Sequence, residues 1–236
     1  MKLYKAVICV MLCLAAGLFS CDDMYDLHIG YLESGENIYA AKVDSVSPGP
    51  GNKRIEMEVF INAQRIDYIR FYWNARYDSL DFRINNQIGV FKVMIENLED
   101  REYLFEIVSF DKFGNRSLPF EVSSLAYGET YQRYLTNRRI GSIIVNGNGE
   151  AVIEWLGLTE DAICTTLYYT DGSGRKQTVV IPASESTTVI PGNPAGEFRY
   201  VTSYRPTENS PDIFDSEETT GVFPEPETEA ETPGEQ

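Results

Sequence analysis

The chain has 236 residues, of which 36 are acidic and 20 basic, for a formal charge of −16, with one histidine and four cysteines. So acidic a chain is a poor partner for nucleic acid or anionic surfaces. One histidine leaves little material for histidine-based catalysis or metal ligation.

Lys2 and Lys5 make a short basic start, residues 6–19 form an apolar run, and the small Ser20 precedes Cys21. This layout predicts a secretory signal over residues 1–20. The run is shorter than the roughly 20 apolar residues a membrane-crossing helix needs, so no permanent span is expected. Leu18-Phe19-Ser20-Cys21 resembles the bacterial lipobox, and the resemblance implies that Cys21 is the mature N-terminus and carries lipid. Several acyl chains on one residue, at about 0.8 kcal/mol per buried CH₂, hold a membrane firmly. Asp22-Asp23 resembles the surface-export signal of Bacteroidota lipoproteins, which implies the outer face of the outer membrane. The same pair is a good helix cap. Cys9 and Cys13 fall in the signal, so Cys164 stands alone in the mature chain, a small apolar filler with no intramolecular disulfide.

Met24, Leu27, Tyr31 and Leu32 recur three and four apart, which predicts a short helical spacer within residues 21–35, stopped at Gly35. His28 has no ligand neighbours at metal spacing, and no cofactor is expected. From Ile38 the period becomes two. Residues 38–43 read as a first strand and Ser47-Pro48-Gly49-Pro50-Gly51-Asn52 as a turn. Ile55, Met57, Val59 and Ile61 alternate with Glu56, Glu58 and Phe60 as a half-buried strand. Ile69, Phe71 and Trp73 share one face of the next strand, and Tyr68, Arg70 and Tyr72 share the other. Short strands follow around Leu80, Phe82 and Ile84, at residues 90–95 and through Tyr103, Phe105 and Ile107.

Leu98-Glu99-Asp100-Arg101-Glu102-Tyr103, with Phe105, Ile107 and residues 111–117, resembles the corner, F strand and FG loop of a fibronectin type III domain. The resemblance implies seven strands in two sheets over residues 36–126, with Tyr103 as the corner tyrosine whose hydroxyl bonds nearby backbone. Strand B departs from the pattern: Val59 and Phe60 stand where such domains carry Trp, and Trp73 is expected to fill that volume.

Residues 127–139 lose the two-residue period. Tyr127, Tyr131, Tyr134 and Leu135 predict a short, partly helical connector whose aromatics pack between domains; a ligand-binding tyrosine cluster is the alternative. Residues 140–223 repeat the strand pattern, with Trp155 on a second strand B, a tight turn at Asp171-Gly172-Ser173-Gly174 and an F strand through Phe198, Tyr200 and Thr202. Residues 224–236 contain only Pro, Glu, Thr, Ala, Gly and Gln and are expected to be a disordered acidic tail. The fold class is therefore all-β: two tandem fibronectin type III-like (Ig-like) β-sandwiches after a lipoprotein signal.

Cys21-Asp22-Asp23-Met24, Gly35-Glu36-Asn37-Ile38-Tyr39, residues 111–119, Tyr127-Gly128-Glu129-Thr130-Tyr131 and Leu135-Thr136-Asn137-Arg138 together resemble an uncharacterised two-domain lipoprotein family of gut Bacteroidota. The resemblance implies accessory surface lipoproteins beside glycan importers, and it carries no catalytic residues. The residues themselves offer no nucleophile elbow or paired base, so no enzyme is expected. The surviving candidate surface is Tyr68, Arg70, Tyr72 and Phe110, beside Leu104, Glu106 and Val108 on the outer face of neighbouring strands C and F. Tyr gives a flat apolar ring with a polar tip, and Arg gives planar donors, which suits sugar or protein. The alternative is that this face packs on the second domain or the connector. The partners expected are a membrane through the lipid and a polysaccharide or an outer-membrane glycan importer. The competing reading is a structural spacer or adhesin bound to another envelope protein.

Overall fold

Alternation of apolar and polar residues from Arg54 onward yields strands whose inner side chains meet across two layers. The computed structural model describes residues 38–225. The expected signal, Cys21, the expected spacer with Asp22, Asp23 and His28, and the expected acidic tail beyond residue 225 lie outside the described residues.

The first sandwich sets a three-stranded sheet, in the order β1 (Ser45–Gly51), β2 (Arg54–Ile61), β5 (Gly89–Ile95), against a four-stranded one. The second sheet runs β4 (Asp78–Arg83), β3 (Tyr68–Trp73), β6 (Arg101–Phe110), β7 (Phe120–Ala126). All the pairings are antiparallel. This is the strand arrangement of a fibronectin type III domain, and it follows from the inward sets: Ile55, Met57, Val59 and Ile61 from one sheet meet Ile69, Phe71, Phe105 and Ile107 from the other. Each such side chain contributes about 1.5–3 kcal/mol by leaving water. The Tyr103 hydroxyl accepts the Glu99 N–H at 2.8 Å, fixing the corner as expected. Trp73 packs at the margin of this core, its ring 6.0 Å from Phe105.

The second sandwich sets β12 (Thr187–Ile190), β9 (Ala151–Trp155) and β8 (Ile140–Val145) against β11 (Lys176–Pro182), β10 (Ala162–Thr170) and β13 (Glu197–Tyr204). The last strand is split into β14 (Phe214–Asp215) and β15 (Thr219–Val222), both paired with β13. Trp155 lies in this core and donates its indole N–H to Thr188 Oγ1 at 3.0 Å. The guanidinium of the buried Arg138 lies over its ring at 5.4 Å, donates to the Leu156 carbonyl, and has its pKa lowered by burial.

Two expectations at the N-terminal side are corrected. Residues 38–43 form no strand, and the Pro-Gly run read as a turn is strand β1 itself. Proline is tolerated there because β1 is an edge, where a missing N–H costs no ladder bond. The glycines answer a second demand. A Cβ on Gly49 would collide with the carbonyl oxygen of Asn209, and one on Gly51 with the Asp212 carboxylate and Pro211.

These contacts join the sandwiches. Asn209 Nδ2 donates to the Pro48 carbonyl at 2.7 Å and Ser210 Oγ to the Pro50 carbonyl at 2.6 Å. Asp212 Oδ2 accepts from Asn52 N–H at 2.8 Å and Arg54 Nε at 2.9 Å, while its Oδ1 accepts from Arg54 Nη2. The connector holds the one-and-a-half-turn helix α1 (Glu129–Tyr134). Thr130 N–H donates to Asp100 at 2.7 Å, Lys53 pairs with Glu129 at 2.9 Å, and Tyr127 and Tyr131 cluster with Phe214, their centroids 6.0 and 5.1 Å from its ring. Packing of connector aromatics between the sandwiches is thus as expected for Tyr127 and Tyr131. Tyr134 differs, being 80% exposed because it faces away on the helix.

Candidate functional site

Because strand side chains alternate, burying Ile69 and Phe71 turns Tyr68, Arg70 and Tyr72 to the outer face of the four-stranded sheet. Strand β6 runs antiparallel beside them, with Tyr68 opposite Phe110, Arg70 opposite Val108 and Tyr72 opposite Glu106. All four predicted residues are therefore brought together, each half-buried.

The rings of Tyr68 and Phe110 stack at 4.6 Å with their planes 3° apart. The Arg70 guanidinium lies 5.7, 5.6 and 5.8 Å from the ring centroids of Tyr68, Phe110 and Tyr72. It is held from the other side by Asp81 on β4, to which Nη2 donates at 2.7 Å and Nε donates as well. Bonding to Asp81 and Tyr72 raises the Arg70 pKa, and the same guanidinium holds the Asp81 carboxyl below the usual carboxylate range.

Two further arginines extend the row. Arg83, paired with Asp67, lies 5.3 Å from the Tyr68 ring, and Arg76, paired with Glu106, lies 5.2 Å from the Tyr72 ring. Rings and guanidinium groups thus alternate along the strand, each exposed cation–ring contact being worth about 0.5–1 kcal/mol. Sequence reasoning missed Arg76, Arg83 and Asp81. The signal available for the latter two was the alternation Asp81, Arg83 on a strand next to β3.

Two details refine the expected surface. Val108 is buried beneath the row, whereas Leu104 on the same face is 56% exposed. Tyr68 and Phe110 give one ring face to each other, so the open ring face is narrower than a flat platform. Among the described residues, every ring, cation and carboxylate partner of the four side chains belongs to the first sandwich. The connector aromatics pack on Phe214 instead, so the row is not covered by that contact.

Two clefts lie elsewhere. One is lined by Glu129, Gln132, Arg133, Ser216 and Glu217, the other by Val145, residues 193–196 and residues 222–225. In the first, the Ser216 hydroxyl donates to Asn137 Oδ1 at 2.8 Å and not to a carboxylate. Among the described residues no group of three or more His, Cys, Asp or Glu could hold a metal ion, and no helix is long and apolar enough to cross a membrane.

Residues 21–214 match DUF4998, a domain of unknown function. The chain belongs to the DUF4998 family. Among curated proteins none matches it. Solved structures similar to this DUF4998 chain include a two-domain fibronectin type III segment of chicken tenascin, at 12% identity and TM-score 0.33, covering 78% of this chain and 99% of that one. The FN1–FN3 domains of chicken CNTN1 align at 15% identity and TM-score 0.40, covering 78% and 68%. The central fibronectin III array of RIM-binding protein aligns at 13% identity and TM-score 0.28, covering 73% and 66%. The fold of this DUF4998 chain rests on its own strand order.

Proposed function

We propose that the protein is a non-catalytic lipoprotein, held at the outer membrane surface through Cys21, that serves a glycan-uptake assembly as a binding or accessory scaffold component. The observation that carries this reading is the uncovered row of Tyr68, Phe110, Arg70 and Tyr72 on an outer sheet face. Guanidinium N–H groups, a tyrosine hydroxyl and ring edges side by side form a contact surface for polysaccharide hydroxyls or for an importer subunit. The lipobox-like residues at 18–21 support the anchor, and the family match starts at residue 21. Tyr72→Ala and Arg70→Ala, tested on a glycan array and in pull-downs with an importer pair, should each weaken retention about tenfold, the scale of a lost hot-spot side chain. Unchanged binding, or protection of the protein from protease added to intact cells, would sink the reading.

A second reading, a spacer or adhesin bound to another envelope protein, is favoured by the clasp between the sandwiches, which suits a stiff projecting arm. Recovery of one fixed envelope partner without carbohydrate binding would select it.

A further inference from the structure

The first sandwich has two unlike ends. At one, the corner near Leu98, the turn at Lys53 and the Asp100 carboxylate meet the connector. At the other, the loops spanning residues 62–67, 84–88 and 111–119 gather where the chain comes in, because Ala40 N–H donates to the Arg116 carbonyl at 3.2 Å.

The 111–115 turn at this second end is built firmly. Asp111 Oδ1 accepts the N–H groups of Phe113 and Asn115, both at 2.9 Å, its Oδ2 accepts Asn115 Nδ2 at 2.8 Å, and Gly114 takes φ +85°. The tip it presents is Phe113, 77% exposed, with the Lys112 ammonium 4.9 Å from its ring. A lone exposed ring needs no explanation. This one has a setting: exposed Arg65, Lys112 and Arg116, and the half-exposed Ile88 in the neighbouring loop. The carboxylates of the same end are already engaged, Asp111 by its own turn, Asp67 by Arg83 and Asp44 by the Asn62 N–H.

We infer that this end rests on the bilayer that holds the lipid of Cys21, with Phe113 at the headgroup boundary and Lys112, Arg65 and Arg116 against headgroup phosphates. The inference rests on the anchoring proposed above. Segment 22–39 reaches at most about 60 Å when fully extended, so the anchored chain keeps this end near the surface and a weak contact suffices. Aromatic rings favour the membrane interface and basic side chains its phosphates. The rest of a chain carrying −16 is repelled by an anionic surface, so approach by any other part is disfavoured. The lipid supplies the affinity and this end sets the orientation.

The test uses the full lipidated chain in phosphatidylglycerol-containing vesicles whose acyl chains are brominated. An indole is introduced by Phe113→Trp and, as control, by Tyr77→Trp in the loop at the opposite end of the sandwich, where Tyr77 is 90% exposed. Quenching above that of the native chain should be about twofold or more greater for Phe113→Trp than for the control, as expected for a ring at the interface. Lys112→Glu combined with Arg116→Glu should abolish the difference. Equal quenching of the two indoles while the protein floats with the vesicles overturns the inference alone. Protein that fails to float overturns the anchoring reading, and this inference with it.

Discussion

Asp212 and Arg54 lie 158 residues apart in the chain, yet Oδ2 of the one accepts Nε of the other at 2.9 Å, across the junction of the two sandwiches. The same oxygen accepts the Asn52 N–H at 2.8 Å. With Arg54 Nη2 on Oδ1 as the third donor, Asp212→Ala should therefore leave three donors unpaired and cost about 1–3 kcal/mol. Urea unfolding should show the loss, and small-angle scattering should show a wider distribution of distances between sandwiches. Unchanged scattering would mean that the Pro48 and Pro50 contacts and the packing of Tyr127 and Tyr131 on Phe214 hold the pair without Asp212.

The junction should also weaken in acid. Arg54 and the Asn52 N–H hold the Asp212 pKa below its ordinary carboxylate value. A lowered folded-state pKa contributes stability that is complete above the unfolded value, about 3.9, and is lost as pH falls through the folded one. Loosening measured by scattering should hence begin below about pH 4. Asp212→Asn should remove most of that pH dependence, and an identical acid profile in the variant would place the effect elsewhere.

At the corner of the first sandwich, Tyr103→Phe removes the acceptor of the Glu99 N–H and leaves the ring packed. The expected cost is about 0.5–1.5 kcal/mol in denaturant unfolding with an unchanged slope. A larger loss or a changed slope would indicate that the corner organises more than one bond.

On the outer face, Arg70→Lys keeps the charge and loses the planar fork that Asp81 grips. Stability should fall by less than about 1 kcal/mol, because the pair is partly exposed. Binding by the Tyr68–Tyr72 row should fall nearly as far as with Arg70→Ala. Full binding by Arg70→Lys would show that charge, not geometry, is recognised.

Much of this was legible in the sequence, for physical reasons that also mark where reading stopped. Strand β2 was clear because Ile55, Met57, Val59 and Ile61 are all buried and their alternate neighbours are not, so the period alone defines the element. Strand β1 was misread because Pro and Gly carry strong local turn preferences, whereas their use at Pro48–Gly51 is decided by Asn209, Ser210 and Asp212 far along the chain. Likewise Tyr68, Arg70 and Tyr72 declared a common face. Arg76 and Arg83 did not join them on paper, since their rings are reached from a loop and a neighbouring strand.

An edge strand such as β1 normally invites a foreign strand to pair with it, which is a route to aggregation. Here Pro48 and Pro50 offer no N–H, and their carbonyls are taken by Asn209 and Ser210. The loop that fixes the angle between the sandwiches thus also shields their exposed margin. A variant that opens the junction is expected to be more prone to self-association as well as more mobile.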